Sequence, residues 1–218
     1  MRISVDDAVR YMGAGKGNED VRRMTEEIAA ELERTIRPKH TWRLFHTEHR
    51  EDGVFLAEAG ETLTGKLAKN MLAECDAAVM LVCTLGAEFD AMRRAWEARD
   101  MARAVVLDAC GSAWVEAGCD AAEEEIAARF PGLYRTDRFS AGYGDLPLEA
   151  QDWILRALDA PRRLGVTANP SHLLTPDKSV TAVIGLSDKP QGAKIRGCAY
   201  CTLREGCAYR ERGTHCGV

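Results

Sequence analysis

The sequence predicts an α+β fold, and three features of its hydrophobic pattern support this. Several segments carry apolar residues at helical spacing, the longest of them over about residues 101–130. Other segments, such as residues 77–86, are short continuous apolar runs that end in glycine, as buried strands do. The segments follow one another without a regular strand-helix-strand repeat, which favours α+β over a doubly wound parallel sheet.

The composition is that of a globular protein and argues against two classes of partner. The chain has 218 residues, 46% of them hydrophobic and 29% charged, which is enough to bury one substantial core. The formal net charge of −5 argues against nucleic-acid binding, since such domains concentrate Lys and Arg on one face. No apolar run reaches membrane-spanning length, and the first residues carry acids where a signal peptide needs basic groups. We therefore expect a cytoplasmic protein that binds neither nucleic acid nor membrane.

Helical periodicity recurs along most of the chain. In residues 19–36, Met24, Ile28 and Leu32 recur at helical spacing, and Pro38 then ends the helix. The predicted helices cover residues 5–12, 19–36, 63–75, 87–97, 101–130 and 148–158.

The longest predicted helix should supply much of the core. Its periodicity places five side chains among the buried candidates, namely Val105, Leu107, Ala109, Trp114 and Ala117. Pro131 and Gly132 end this helix.

Strands are predicted between these helices, over residues 41–45, 53–56, 77–86 and 178–186. The polar stretch HTEHREDG separates the first two, so they are expected to form a hairpin. The last segment, KSVTAVIGL, alternates in polarity and should join the sheet.

The glycine-rich segment of residues 137–147, DRFSAGYGDLP, is the part of the chain best suited to binding a ligand. Gly142 and Gly144 let the backbone approach a compact polar ligand closely. Arg138 can pair with a carboxylate, and Tyr143 offers a hydroxyl and an aromatic face that suits a sulfonium cation. On the residues alone, a surface ion pair of Arg138 and a simple chain turn at the glycines remain the alternative.

The eight cysteines fall into two groups. Those in apolar or helical segments are expected to be buried thiols, and they are Cys75, Cys83, Cys110 and Cys119. The last segment follows a C-x2-C-x5-C-x8-C pattern, formed by Cys198, Cys201, Cys207 and Cys216. A close pair with two further thiolates suits zinc or an iron-sulfur cluster, and thiols without metal are the alternative. We therefore divide the chain into a domain of residues 1–187 and a cysteine-rich extension of residues 188–218.

Several separated segments, in the same order, resemble the reactivation domain of cobalamin-dependent methionine synthase in its short, stand-alone form. Arg138, Gly142 and Tyr143 match the RxxxGY signature of that family. The other similar segments are TLG at 84–86, LDACGSAWVE at 107–116, GYGDLPLEAQ at 142–151 and RLGVTANPSHLLTPDKSVTAVIG at 163–185. The resemblance covers most of residues 1–187 and implies a twisted antiparallel β-sheet with surrounding helices.

The resemblance also implies a ligand and the residues that hold it. In the family this loop binds S-adenosylmethionine. The residues of this chain that correspond to the binding residues are Arg138, Ser140, Gly142 and Tyr143. Ser140 stands where the long methionine synthases have alanine, and a backbone contact tolerates that change. Glu116 matches an acid that helps to hold the ligand in the long enzymes, and an exposed or capping carboxylate is the alternative.

By resemblance, the function is the reactivation of oxidised cobalamin in methionine biosynthesis. S-adenosylmethionine would donate a methyl group that traps the reduced corrinoid as methylcobalamin. The chain lacks an Asp-x-His-x-x-Gly cobalamin motif, so the cobalamin is expected on a separate methionine synthase or other corrinoid methyltransferase. An electron donor such as flavodoxin or ferredoxin is also expected.

Two other functions stay open. The protein could be a non-catalytic S-adenosylmethionine sensor that regulates docking to a methyltransferase. It could also be an electron-transfer accessory protein whose working site is a metal or iron-sulfur cluster in the cysteine-rich extension.

Overall fold

The chain folds into an antiparallel sheet with helices, the α+β arrangement that the sequence predicts. A computed structural model describes residues 1–13 and 19–192. The helices are α1 (Val5–Tyr11), α2 (Glu19–Thr35), α3 (Gly65–Met71), α4 (Ala87–Glu97), α5 (Met101–Arg129), α6 (Ala150–Ala157) and α7 (Ala160–Leu164). The strands are β1 (Lys39–His49), β2 (Gly53–Leu56), β3 (Glu61–Thr64), β4 (Ala77–Thr84), β5 (Tyr134–Arg135), β6 (Thr167–Ala168), β7 (Leu174–Thr175) and β8 (Ser179–Ser187).

Within the described part of the chain, the main sheet has six strands in the order β3-β2-β1-β4-β8-β5, and β6 and β7 form a separate pair. Antiparallel pairing joins β1 to β2, β2 to β3, and β5 to β8. Gly53 lies opposite Thr64 in the pair of β2 and β3. A Cβ atom on Gly53 would lie 2.2 Å from the backbone oxygen of Leu63, so this close approach requires glycine.

The chain divides into two compact units, and the strands β1, β4 and β8 contribute residues to both. The first unit consists of Met1–Arg43, Leu81–Arg129 and Gln151–Thr181. The second unit consists of Leu44–Met80, Phe130–Ala150 and, of the described residues after these, 182–192. Most of the helices therefore belong to the first unit, whereas β2, β3, α3 and β5 belong to the second.

Helix α5 supplies much of the core of the first unit. Trp114 is fully buried, and its Nε1 donates a hydrogen bond of 2.9 Å to the backbone oxygen of Ile36. Leu107 and Ala109 are buried as predicted, while Ala117 is only half-buried. None of the helices in residues 1–13 and 19–192 is both long and apolar enough to cross a membrane.

The prediction that Val105 is buried is wrong, because its side chain is 52% exposed. Val105 follows Met101 by four residues and so lies on the same face of α5, where Met101 is 61% exposed. The apolar character of this face therefore does not reflect burial within the unit.

Several predicted boundaries also shift. Strand β1 reaches His49, so only residues 50–52 separate it from β2, instead of the longer turn that was predicted. Residues 63 and 64 were predicted to begin a helix but belong to β3, because pairing with β2 decides the conformation of this threonine-rich segment. Strand β8 is buried at every position from 181 to 187, as a strand covered on both faces is, so its predicted alternation is wrong.

The contact between α4 and α5 provides a test of core packing. A Cβ atom on Gly111 would lie 2.2 Å from Cζ of Phe89, a ring that is fully buried. We expect Gly111→Ala to lower the free energy of unfolding by about 1–2 kcal/mol, because overpacking outweighs the gain in helix propensity. Urea denaturation measures the change, with Gly192→Ala as the control at an open position. An unchanged or higher stability of Gly111→Ala would contradict this.

Candidate functional site

Two residues at the start of the predicted ligand loop, Thr136 just before it and Phe139 within it, are hydrogen-bonded to β8 in the second unit. The backbone N–H of Thr136 donates to the oxygen of Gly185 at 3.0 Å, and its Oγ1 accepts from the Gly185 N–H at 2.9 Å. Phe139 and Val183 exchange two backbone hydrogen bonds of 3.0 and 2.7 Å. Because the Phe139 ring is fully buried, the start of the loop is fixed to the core of this unit.

Arg138 and Ser140 lie on either side of Phe139, and both are half-buried. In extended backbone, successive side chains point to opposite faces. The two residues therefore share the more open face, opposite the buried ring. A small ligand at the surface of the second unit could reach both.

A tight turn follows, and it includes Tyr143. The N–H of Gly142 donates to the oxygen of Leu146 at 2.9 Å, and the N–H of Leu146 donates to the oxygen of Tyr143 at 3.0 Å. A third bond, of 3.1 Å, joins the N–H of Tyr143 to the oxygen of Ser140. Gly142 and Gly144 have φ angles of 85° and 55°, which glycine adopts without strain. Leu146 is buried, while the Tyr143 side chain is 54% exposed and available to a ligand.

Asp145 connects this turn to helix α3. Its carboxylate accepts hydrogen bonds from the backbone N–H groups of Lys66 at 2.7 Å and Leu67 at 2.9 Å. Among the described residues, Thr64 at the N-cap position of α3 makes no side-chain capping bond, so Asp145 serves as the cap. The Leu67 and Lys66 amide hydrogen bonds lower the pKa of Asp145 below its usual range, and the positive charge of Lys66 adds to this.

The role of Asp145 was not predicted from the sequence. The residue was visible only as an acid in the loop, and the amides that it caps lie 78 and 79 positions away along the chain. Such a distant cap has no signal in sequence spacing, since capping patterns are read within a few residues of a helix start.

Glu116 lies on α5, in the first unit, whereas Arg138, Ser140, Gly142 and Tyr143 all lie in the second. Its side chain is half-buried. Partial burial raises the pKa of Tyr11, and the negative charge of Glu116 raises it further. The charge of Glu116 therefore affects the ionisation of Tyr11, the last residue of α1.

A groove of about 310 Å³ lies in the first unit, between the end of α1, helix α4 and helix α5. Three of its lining residues are exposed apolar side chains, namely Tyr11, Met101 and Val105. The groove was not predicted from the sequence. The sequence pattern that could have indicated the groove is a spacing that places apolar and polar residues along one face of α5, namely Met101, Val105, Asp108 and Ser112.

The polar part of this groove is a hydrogen-bonded cluster. Nζ of Lys178 donates to Oδ2 of Asp108 and to Oγ of Ser112, both at 2.9 Å. Glu116 follows Ser112 by one helical turn and so lies on the same face of α5. The face of α5 that carries Glu116 thus changes from apolar at Met101 to polar at Ser112.

The four cysteines that the structure describes are buried, as predicted: Cys75, Cys83, Cys110 and Cys119. Burial raises the pKa of Cys110 to about 12, so its thiol stays protonated near neutral pH. The predicted metal ligands Cys198, Cys201, Cys207 and Cys216 lie outside the described residues. Within residues 1–13 and 19–192, no group of three or more His, Cys, Asp or Glu side chains is placed to hold a metal ion.

The fold is similar to that of a solved structure, the crystal structure of the MetH reactivation domain bound to AdoHcy. The TM-score is 0.62 and the sequence identity is 16%, over 95% of this chain and 77% of that chain. At this identity the similarity shows the fold alone. No family model matches the sequence, and no curated protein matches it.

The cap made by Asp145 should depend on pH. Its pKa is lowered in the folded protein, so its stabilising effect is complete above the unfolded-state pKa of about 4 and is lost as pH falls through the lower folded value. We expect the wild type to exceed Asp145→Asn in urea midpoint at pH 6, and the difference to shrink steadily below pH 4. A difference that stays constant from pH 6 to pH 2.5 would contradict this. Asp52→Asn, at an exposed turn position, is the control.

Proposed function

We propose that this protein binds S-adenosylmethionine and supports the reductive methylation of cob(II)alamin on a separate corrinoid-dependent methionine synthase or related methyltransferase. The fold similarity to the MetH reactivation domain bound to AdoHcy carries this proposal. AdoHcy is what remains of S-adenosylmethionine after methyl transfer, so a site for one suits the other. The RxxxGY loop at Arg138, Gly142 and Tyr143 adds support from a different observation.

The geometry of the loop fits the chemical groups of this ligand. The half-buried Arg138 can form a paired hydrogen bond with the amino-acid carboxylate. The exposed ring of Tyr143 can face the sulfonium, since an electron-rich aromatic face attracts a cation. Ser140 and Gly142 can contribute backbone groups, because Gly142 has no side chain to keep a ligand away. We further propose that Glu116 contributes an acidic contact.

The protein's own contribution to the reaction is positioning and exclusion of water. Holding the methyl donor in a fixed orientation converts a bimolecular encounter into an ordered step, which lowers the entropic part of the barrier. The corrinoid, held by the partner protein, supplies the methyl-accepting chemistry. A reductant such as flavodoxin or ferredoxin would deliver the electron.

The division of the chain at residues 187 and 188 is part of the same proposal. Strand β8 ends at Ser187 and is the last strand in residues 1–13 and 19–192, so the proposed extension begins directly after it. We propose that Cys198, Cys201, Cys207 and Cys216 bind zinc or an iron-sulfur cluster, since four thiolates form a complete ligand set for either. A cluster there could pass the activating electron to the corrinoid.

Calorimetric titration with S-adenosylmethionine tests the ligand site. We expect saturable binding by the wild type, and an affinity about tenfold to one-hundredfold weaker for Arg138→Ala, because a hydrogen bond between charged groups is lost. Tyr143→Phe keeps the aromatic face and should weaken binding less than tenfold. The matched controls are Arg37→Ala and Tyr134→Phe, at exposed positions outside the loop. The absence of binding by the wild type, or an unchanged affinity of Arg138→Ala, would overturn the proposed site.

Metal analysis after anaerobic purification tests the extension. We expect zinc, or iron with sulfide, in the wild type, and its loss from the double variant Cys198→Ser, Cys201→Ser, because a tetrahedral site cannot hold metal with two ligands removed. Cys110→Ala should keep the metal, since that thiol is buried and protonated. Finding no metal in the wild type, or equal metal in both cysteine variants, would refute the assignment.

A further inference from the structure

We propose that Asp145 is a positioning residue for the ligand loop, which it fastens to helix α3 so that Tyr143 is held in place for the ligand. This inference rests on the proposed function, because it concerns the same loop. Asp145 acts here through the backbone of α3, because its carboxylate accepts hydrogen bonds from the N–H groups of Lys66 and Leu67.

The polar part of the connection is a cap supplied from outside the helix. The first N–H groups of any helix lack partners within it, and a carboxylate there is favoured both by hydrogen bonding and by the helix dipole. Asp145 satisfies two of these groups in α3, at Lys66 and Leu67. Helix capping and loop attachment are therefore performed by one side chain.

The backbone at the start of α3 is shaped to receive this carboxylate. A Cβ atom on Gly65 would lie 2.8 Å from both the backbone oxygen and Oδ1 of Asp145. Gly65 also has a φ angle of 95°, which only glycine adopts readily. Glycine at this position thus permits the loop to approach the helix closely.

The side chain of Leu67 also lies near the turn, beside Gly144. A Cβ atom on Gly144 would lie 3.5 Å from Cδ2 of Leu67, an ordinary van der Waals distance. Gly144 follows Tyr143 directly. Asp145 thus supplies the polar attachment of the turn to α3, where the Leu67 side chain comes near the adjacent Gly144.

Because Tyr143 itself is exposed, its position depends on the backbone on either side of it. Buried Leu146 fixes the end of the turn, and the hydrogen bonds of Asp145 with α3 fix the residue before it. Without Asp145, the turn would keep its internal hydrogen bonds but lose its polar attachment to α3. The ligand would then have to order the turn on binding, which lowers the affinity.

The experiment separates positioning of the loop from stabilisation of α3. Asp145→Ala should weaken S-adenosylmethionine binding about tenfold and lower the urea midpoint, because charged hydrogen bonds are removed. Adding Thr64→Asp supplies a cap from the N-cap position of α3, where the backbone is already extended as a cap requires. We expect the double variant to recover the urea midpoint without recovering the affinity. Recovery of both would show that Asp145 merely stabilises α3 and would overturn the inference.

A second variant tests whether Asp145 acts through α3 or touches the ligand. Lys66→Pro removes one N–H donor and leaves Asp145 in place, and proline is tolerated in the first turn of a helix. We expect it to weaken binding severalfold, and Asp145→Ala to add less in this background than in the wild type. Fully additive effects would indicate direct ligand contact and would overturn the inference. Lys66→Ala, which keeps the donor, and Asp52→Ala, which removes an exposed charge, are the controls.

The outcomes distinguish this inference from the proposed function. A wild type that does not bind S-adenosylmethionine overturns the proposed function, and the role of Asp145 falls with it. A wild type that binds, together with an Asp145→Ala variant of unchanged affinity, overturns the role of Asp145 alone.

Discussion

The candidate loop of residues 137–147 has no helix or strand of its own, and its position depends on the backbone hydrogen bonds that Thr136 and Phe139 make with strand β8. Polar backbone groups next to a core must find partners, and here Thr136 and Phe139 find them at Gly185 and Val183. These bonds place Phe139 in the core, which in turn directs Arg138 and Ser140 to the open face. The position of the candidate site is therefore set by hydrogen bonding to strand β8.

Strand β8 can serve this purpose because it is itself closely enclosed. A Cβ atom on Gly185 would lie 2.5 Å from Sγ of Cys75 and 2.7 Å from Cδ2 of Leu72, so glycine is required where the strand passes these side chains. Cys75 thus acts as a packing residue. Because tightly packed interiors transmit small displacements, a change of side-chain volume around β8 would shift the loop.

Rigid and accessible parts alternate along the loop. Buried Phe139 and Leu146 anchor its ends, while residues 142–145 between them are exposed, including the aromatic ring of Tyr143. Such an arrangement suits a binding site, because a loop held at both ends loses less entropy when it takes up a ligand than a free segment does. Asp145, next to Leu146, also attaches the loop to a helix that is distant in sequence.

The sequence by itself determined the fold class, most of the helices and the segment that forms the candidate loop. Helical periodicity, the buried run of β4 and the Arg-Gly-Tyr pattern are local signals, and local signals survive without knowledge of the fold. The sequence did not determine strand β3, whose threonines adopt a strand only because β2 pairs with them, or the exposure of Val105. Nor did it show the cap on α3, since a hydrogen bond between residues almost eighty positions apart exists only once tertiary structure has brought them together.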